Sequence, residues 1–193
     1  AHQMASNPLP PGERKPGTVG RATGLAIRIM DQEDNLLGAK QVGEVVIQGE
    51  SVMEGYHQNP EANAAAFSGD WFRTGDQGFL DEQGYLTLVG RLKELINRGG
   101  EKISPREIDE VLLSHEAVAE AIAFGIPDEK YGEEVAVAVV RKSSVTEDEL
   151  ADHCRRYLAA FKVPKTFYFT ENIPRTATGK VQRRVVAETF AKL

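Results

Sequence analysis

The sequence changes texture at Gly90, and that change limits the folds open to the chain. Before it, short β-prone runs are cut at close intervals by glycine and proline. After it, β-prone runs alternate with segments carrying helix-start signals. Residues 7–18 are loop chemistry, because their prolines fix φ and remove backbone donors. Residues 25–30 and 43–49 read as strands, with a hairpin connection over 31–41. A short helix is predicted over 60–67, with Asn59 as N-cap and Pro60 at the first helical position. Residues 70–90 read as Gly-punctuated short strands, including 84–89.

Beyond Gly90, Ser104-Pro105-Arg106-Glu107 is a capping box. It opens a helix whose Ile108, Val111 and Leu112 share one face. Residues 118–126 and 135–140 read as strands. Thr146 to Glu149 is a second capping box, starting a helix that turns Leu150, Cys154, Tyr157 and Leu158 inward. A strand over 166–169 and an amphipathic helix over 181–190 complete the pattern. No internal repeat is present. The expected class is α+β: a β-rich part over 1–90, then a compact small α+β domain of roughly 100 residues, a viable domain size.

Composition narrows the function classes. The 193 residues are 41% hydrophobic and 27% charged, ordinary values for a globular protein. No apolar run approaches the roughly 20 residues that cross a bilayer. The single cysteine, Cys154, cannot form an intramolecular disulfide, which favours a reducing compartment. The chain opens Ala-His-Gln-Met, with no initiator Met and no secretory signal, so a piece of a longer protein is expected. The net charge of −6 hides an asymmetry: residues 1–150 balance at −12 and residues 151–193 at +6. A basic tail fits nucleic acid, a phosphate-rich small molecule, or a solvated face. Its aromatic residues, Tyr157, Phe161, Phe167, Tyr168 and Phe169, fall at core spacings and do not form a stacking platform. Nucleic acid is therefore not expected as a partner.

Three segments could carry chemistry. In Phe72-Arg73-Thr74-Gly75-Asp76, an acceptor-only carboxylate follows a glycine, where backbone can approach a ligand closely. Such a carboxylate suits a diol such as ribose, or it serves its own turn. The run from Gly90 to Ile103 packs four cations around Gly99-Gly100, as a charged hairpin or as a ligand-facing edge. Pro174 to Lys180 is a polar loop ending in Gly-Lys. It lacks the spacing of a Walker phosphate loop, so what remains is a point cation of long reach, at work or merely solvated.

In this order and spacing the segments resemble the C-terminal part of an adenylate-forming, AMP-binding acyl-CoA synthetase. That superfamily is shared with luciferases and the adenylation domains of peptide synthetases. The resemblance runs from Gly43-Glu44 to Gly55-Tyr56, through Phe72–Asp76 and Gly90–Gly100, to Thr178-Gly179-Lys180. His2-Gln3-Met4, Ile96–Pro105 and Ala159–Pro164 are most similar to plant and fungal oxalate–CoA ligases.

The resemblance implies roles. Residues 1–90 become the last subdomain of a large AMP-binding domain whose remainder is a partner to this chain. Asp76 grips the ribose hydroxyls of ATP and Arg91 lies close to the same nucleotide. Residues 91–94 become a hinge, with Lys93 the position about which the small domain of 95–193 pivots. Gly99, Gly100 and Lys102 belong to the segment that meets the pantetheine arm of CoA. Lys180 enters the active site for adenylation only, and His2 lies near the acyl pocket. The implied substrates are a carboxylic acid, ATP and CoA. Mg2+ accompanies ATP, but its carboxylate ligand belongs to a Tyr-x-x-Thr-Glu segment that would precede residue 1, so no metal ligand is expected here. The resemblance thus implies an acid–thiol ligase of which this chain is an inactive piece when alone. The alternatives are an excised nucleic-acid or protein interaction module using the basic C-terminal face, and acyl transfer to a carrier protein's pantetheine. A cytoplasmic location follows, or a peroxisomal one if Ala191-Lys192-Leu193 acts as a eukaryotic address.

Overall fold

The computed structural model describes residues 3–191, and the chain divides between Leu92 and Lys93 into two units with separate cores. The first unit is an antiparallel sheet of seven strands: β1 (Ala5–Ser6), β2 (Gly20–Ala22), β3 (Ala26–Met30), β4 (Gly43–Gln48), β5 (Phe67–Ser68), β6 (Trp71–Leu80) and β7 (Tyr85–Arg91). Their order is β1-β2-β7-β6-β4-β3, with β5 beside β6. The predicted 25–30/43–49 hairpin is β3 and β4, in register from Ala26 opposite Gln48 to Met30 opposite Glu44. Period-2 alternation buries Ile27 and Ile29 while Arg28 points to solvent. These two pack with Val45, Ile47 and Leu86 into the unit's core. Helix α1 (Pro60–Ala66) starts as expected, because Asn59 Oδ1 accepts the Ala62 N–H at 3.0 Å.

Residues 70–90 depart from the expected run of short strands. They form two long strands, β6 and β7, because the glycines bend or narrow the strand without ending it. Gly75 sits at φ +72, beside a register shift between Glu44 and Val46 of the neighbouring β4. At Gly78 a Cβ would lie 2.5 Å from the Thr87 carbonyl oxygen, so only glycine admits that close backbone approach.

The second unit contains β8 (Ile96–Arg98), β9 (Glu101–Ile103), α2 (Pro105–Leu113), β10 (Val118–Asp128), β11 (Gly132–Arg141), α3 (Glu147–Tyr157), β12 (Thr166–Thr170) and α4 (Arg183–Phe190). The sheet order is β10-β11-β8-β9, and β12 runs parallel to β11. Residues Val135 to Val139 are fully buried because β11 is covered on both faces. Val135, Val137 and Val139 meet Ile108 and Leu112 of α2 and Leu150 and Cys154 of α3. Ala136 and Ala138 meet Val186 and Phe190 of α4 on the other side.

The second capping box forms: Thr146 accepts from the Glu149 N–H, and the Glu149 carboxylate accepts from the Thr146 N–H at 2.8 Å. The first does not. Ser104 makes no side-chain cap bond, and Glu107 is drawn instead onto Lys162 Nζ at 2.7 and 2.9 Å. Tyr157 also departs from expectation. It is 66% exposed and packs against the His153 ring, since Leu150, Ala151, Cys154 and Leu158 take the buried stripe of α3. Phe167 is buried, while Phe161, Phe169 and Tyr168 are partly buried against the two cores. Helix α4 starts two residues later than expected, because Val181 is held in a bridge to Arg175. Among the described residues no helix is long and apolar enough to cross a membrane.

Candidate functional site

Asp76 lies in β6, and its strand partner on β7 is Arg91. Residues directly opposite in an antiparallel pair share a face, and Asp76 Oδ1 stands 2.9 Å from Arg91 Nε. The side chain of Asp76 therefore meets a cation across the sheet and does not cap its own turn. At 18% exposure the carboxylate is shielded but still reached by solvent, and Arg91 is 53% exposed.

The turn before Asp76 is held from behind by Glu44, only 7% exposed. Glu44 accepts from Arg73 Nε at 2.8 Å and from the Gly75 N–H at 3.0 Å. Thr74 Oγ1 donates to the Val45 carbonyl at 2.7 Å and accepts the Asp76 N–H at 3.1 Å. These bonds tie Arg73, Thr74 and Gly75 to β4, so the carboxylate stands on a stiff support. Sequence reasoning passed over Glu44. Its signal was a lone acid between glycine and three apolar residues in a buried strand.

The Gly99-Gly100 pair forms the two-residue turn between β8 and β9, with φ of +58 and +92. The stretch thus forms a hairpin, and Gly100 lies at its open tip, with nothing within 4 Å of a would-be Cβ. The turn is held at one side. The Gly99 N–H donates to the Tyr131 carbonyl at 2.8 Å, and a Cβ on Gly99 would meet the Tyr131 ring at 3.1 Å. Arg98 anchors the hairpin by a two-pronged pair with Glu134, at 2.5 and 2.9 Å, and stacks over Tyr131. Burial would raise the Glu134 carboxyl, but the Arg98 guanidinium and the Val135 N–H hold it below the usual carboxylate value. Lys102, on β9, is exposed. Lys93 is exposed in the single turn of 3-10 helix, Leu92–Glu94.

Lys180 ends a closed loop. The Thr176 N–H donates to the Lys180 carbonyl at 2.9 Å, the Gly179 N–H to the Thr176 carbonyl at 2.8 Å, and the Lys180 N–H to Thr176 Oγ1 at 3.2 Å. Gly179 takes φ +79, which the turn requires. In the basic tail Arg155, Lys162, Lys165, Arg175, Arg183 and Arg184 each face a carboxylate. Arg156 and Lys180 are exposed, and neither faces a carboxylate among the described residues. The asymmetry seen in the sequence is therefore mostly neutralised locally, with Arg156 on α3 and Lys180 at the end of its loop left over. His2 lies outside the described residues. Among the described residues no group of His, Cys, Asp and Glu is placed to hold a metal ion.

Residues 107–180 match the AMP-binding enzyme C-terminal domain. Over its whole length the chain is 55% identical to an oxalate–CoA ligase of Saccharomyces cerevisiae, of which it spans 36%. It is 53% identical over 98% of its length to an oxalate–CoA ligase of Arabidopsis thaliana, spanning 37% of that protein. Its fold matches ATP-bound MatB from Rhodopseudomonas palustris with a TM-score of 0.91 at 34% identity, over 97% of this chain and 38% of that one. The chain thus spans little more than a third of the curated relatives it matches. By sequence and by fold, it carries an AMP-binding enzyme C-terminal domain and is similar, over its whole length, to the C-terminal part of CoA ligases.

Proposed function

We propose that this chain is the part of an AMP-forming acid–CoA ligase that carries its mobile domain. The observation that carries the reading is a contrast in the basic tail. Six of its cations are paired with carboxylates, and of the two exposed cations that face none among the described residues, Arg156 lies on helix α3 whereas Lys180 ends a closed loop.

In the first half-reaction a carboxylate attacks the α-phosphate of ATP, an anion approaching an anion, and the bond to the β-phosphate breaks as pyrophosphate leaves. Positioning and charge neutralisation must then supply much of the rate. Lys180 would bridge the acid and the phosphate, Asp76 would accept from the ribose hydroxyls, and Arg91 would hold Asp76 in place beside the nucleotide. In the second half-reaction the CoA thiol attacks the acyl-adenylate and AMP leaves. One surface cannot serve both steps. Lys93 is therefore the pivot that withdraws Lys180 and presents the Gly99-Gly100 turn, with Lys102 beside it, to the pantetheine arm. An exposed residue in a single 3-10 turn suits a pivot, since few contacts oppose a change in its φ and ψ.

The residues present fit this use: a shielded carboxylate for the diol, a free ammonium for phosphate, and an open glycine tip for a thin arm. Mg2+ would accompany ATP through ligands that are not among the described residues. The two relatives named point to oxalate as the acid. The test is to supply the full-length ligase with ATP, CoA and a panel of carboxylic acids, oxalate included, and to measure AMP release. AMP formed only when an acid and CoA are both present supports the reading, and no AMP with any acid refutes it.

A further inference from the structure

Arg183 opens helix α4, where a cation opposes the positive end of the helix dipole. Its environment explains the choice. Nη2 lies 2.5 Å from Asp109 Oδ2 of α2, Nε lies 3.1 Å from Glu94 Oε2, and Nη1 donates to the Ala123 carbonyl of β10 at 3.0 Å. Asp109 closes the ring, because its Oδ1 accepts the Ala123 N–H at 2.6 Å. Arg183 is 18% exposed and Asp109 9%, while Glu94 is 34% exposed. One planar guanidinium thus satisfies acceptors on three separate segments, which the point charge of a lysine could not do.

The position of these segments along the chain gives the network its meaning. Glu94 is the last residue of the 3-10 turn and follows Lys93 directly. Arg183 follows the Lys180 loop by three residues. We propose that Arg183 is a positioning residue: it pins Glu94 to α2, β10 and α4, so that backbone rotation is confined to Leu92–Lys93 and is passed undiminished to the Lys180 loop. Without the pin, the turn would bend over several residues and a rotation at Lys93 would be partly absorbed before it reached the sheet. The catalytic consequence rests on the acid–CoA ligase reading, whereas the pinning does not.

The test uses the full-length ligase carrying Glu94→Ala, with Glu94→Gln, which keeps an acceptor oxygen, alongside. Arg183→Ala is the wrong variant, since it strands the buried Asp109 carboxylate and threatens the fold. In amide hydrogen exchange, residues 93–96 of the Glu94→Ala enzyme exchange about tenfold faster, while α2 and β10 keep their protection. The Glu94→Gln enzyme falls between the two. In kinetics, steady-state acyl-CoA formation by Glu94→Ala falls about tenfold. Single-turnover adenylation, and thioester formation from supplied acyl-adenylate, each fall less than about threefold, because the passage between them is what has been slowed. Unchanged exchange at 93–96 overturns the proposal. So does faster exchange spread evenly over the second unit, or an equal loss in both half-reactions and in steady state. If the unsubstituted enzyme forms no acyl-CoA with any acid, the ligase reading fails, and the exchange result still decides whether Arg183 pins Glu94.

Discussion

Asp76 and Arg91 are partners across β6 and β7, with Oδ1 2.9 Å from Nε. They lie 15 residues apart in the chain, and their pairing follows from the register of the two strands. The pair presents an anion and a cation together, the cation more exposed than the anion.

Replacing Asp76 removes the acceptor proposed for the ribose. In the full-length ligase, Asp76→Ala should raise the KM for ATP in pyrophosphate release by about tenfold or more, the usual worth of a hydrogen bond to a charged group. Asp76→Asn should be milder, since it keeps one acceptor oxygen. A KM for ATP unchanged in both variants removes Asp76 from the nucleotide site.

Lys180 should divide the two half-reactions. Lys180→Ala should lower adenylation by about a hundredfold to a thousandfold, the range for loss of one transition-state donor. Thioester formation from supplied acyl-adenylate should stay within about threefold of the unsubstituted enzyme. Acetylation of Lys180 should act like the alanine variant by removing the charge. An equal fall in both half-reactions would count against the role.

Thr146→Ala deletes the N-cap of α3 and should destabilise the second unit by about 1 kcal/mol. The expected signature is selective. Trp71, the only tryptophan, lies in β6 of the first unit, so its fluorescence transition on heating should not move. Loss of protection in α3, followed by amide exchange, should report the change. A shift in the Trp71 transition would contradict the division into units.

Arg98 and Glu134 set a pH dependence with a definite sign. The Glu134 carboxyl is held below its ordinary value of 4.5, so the folded state binds its proton less readily than the unfolded state. Its contribution to stability is complete above the unfolded value and is lost as the pH falls through the lower, folded value. The stability gap between the parent protein and Arg98→Ala should therefore be wide at pH 7 and narrow in acid. A gap that stays constant from pH 7 to about pH 3 would show that the pair does not carry the effect.

Much of the local structure could be read directly. The Asn59 cap, the Thr146–Glu149 box and the Gly99-Gly100 turn depend on residues within four positions of one another, so their chemistry is complete before the chain folds. The Ser104 box shows where that reading stops. Lys162, 55 residues away, binds Glu107 with a full charge and draws its carboxylate from the local cap. Tyr157 shows the same limit, because a periodic apolar position can fall at the edge of a stripe as well as inside it.

The sequence by itself determined the α+β class, the change of pattern at Gly90, most element starts, and the positions of Asp76, Arg91 and Lys180. Tertiary structure alone decided that Asp76 meets Arg91, that Glu44 braces the segment behind it, that Lys180 faces no carboxylate among the described residues while six other cations of the basic tail do, and that Arg183 reaches Glu94 across 89 residues. The physical reason is the range of the interactions. A cap or a tight turn is settled by neighbouring dihedrals, whereas an ion pair between distant residues exists only once strand order and register have brought them together, and burial of the whole core sets those.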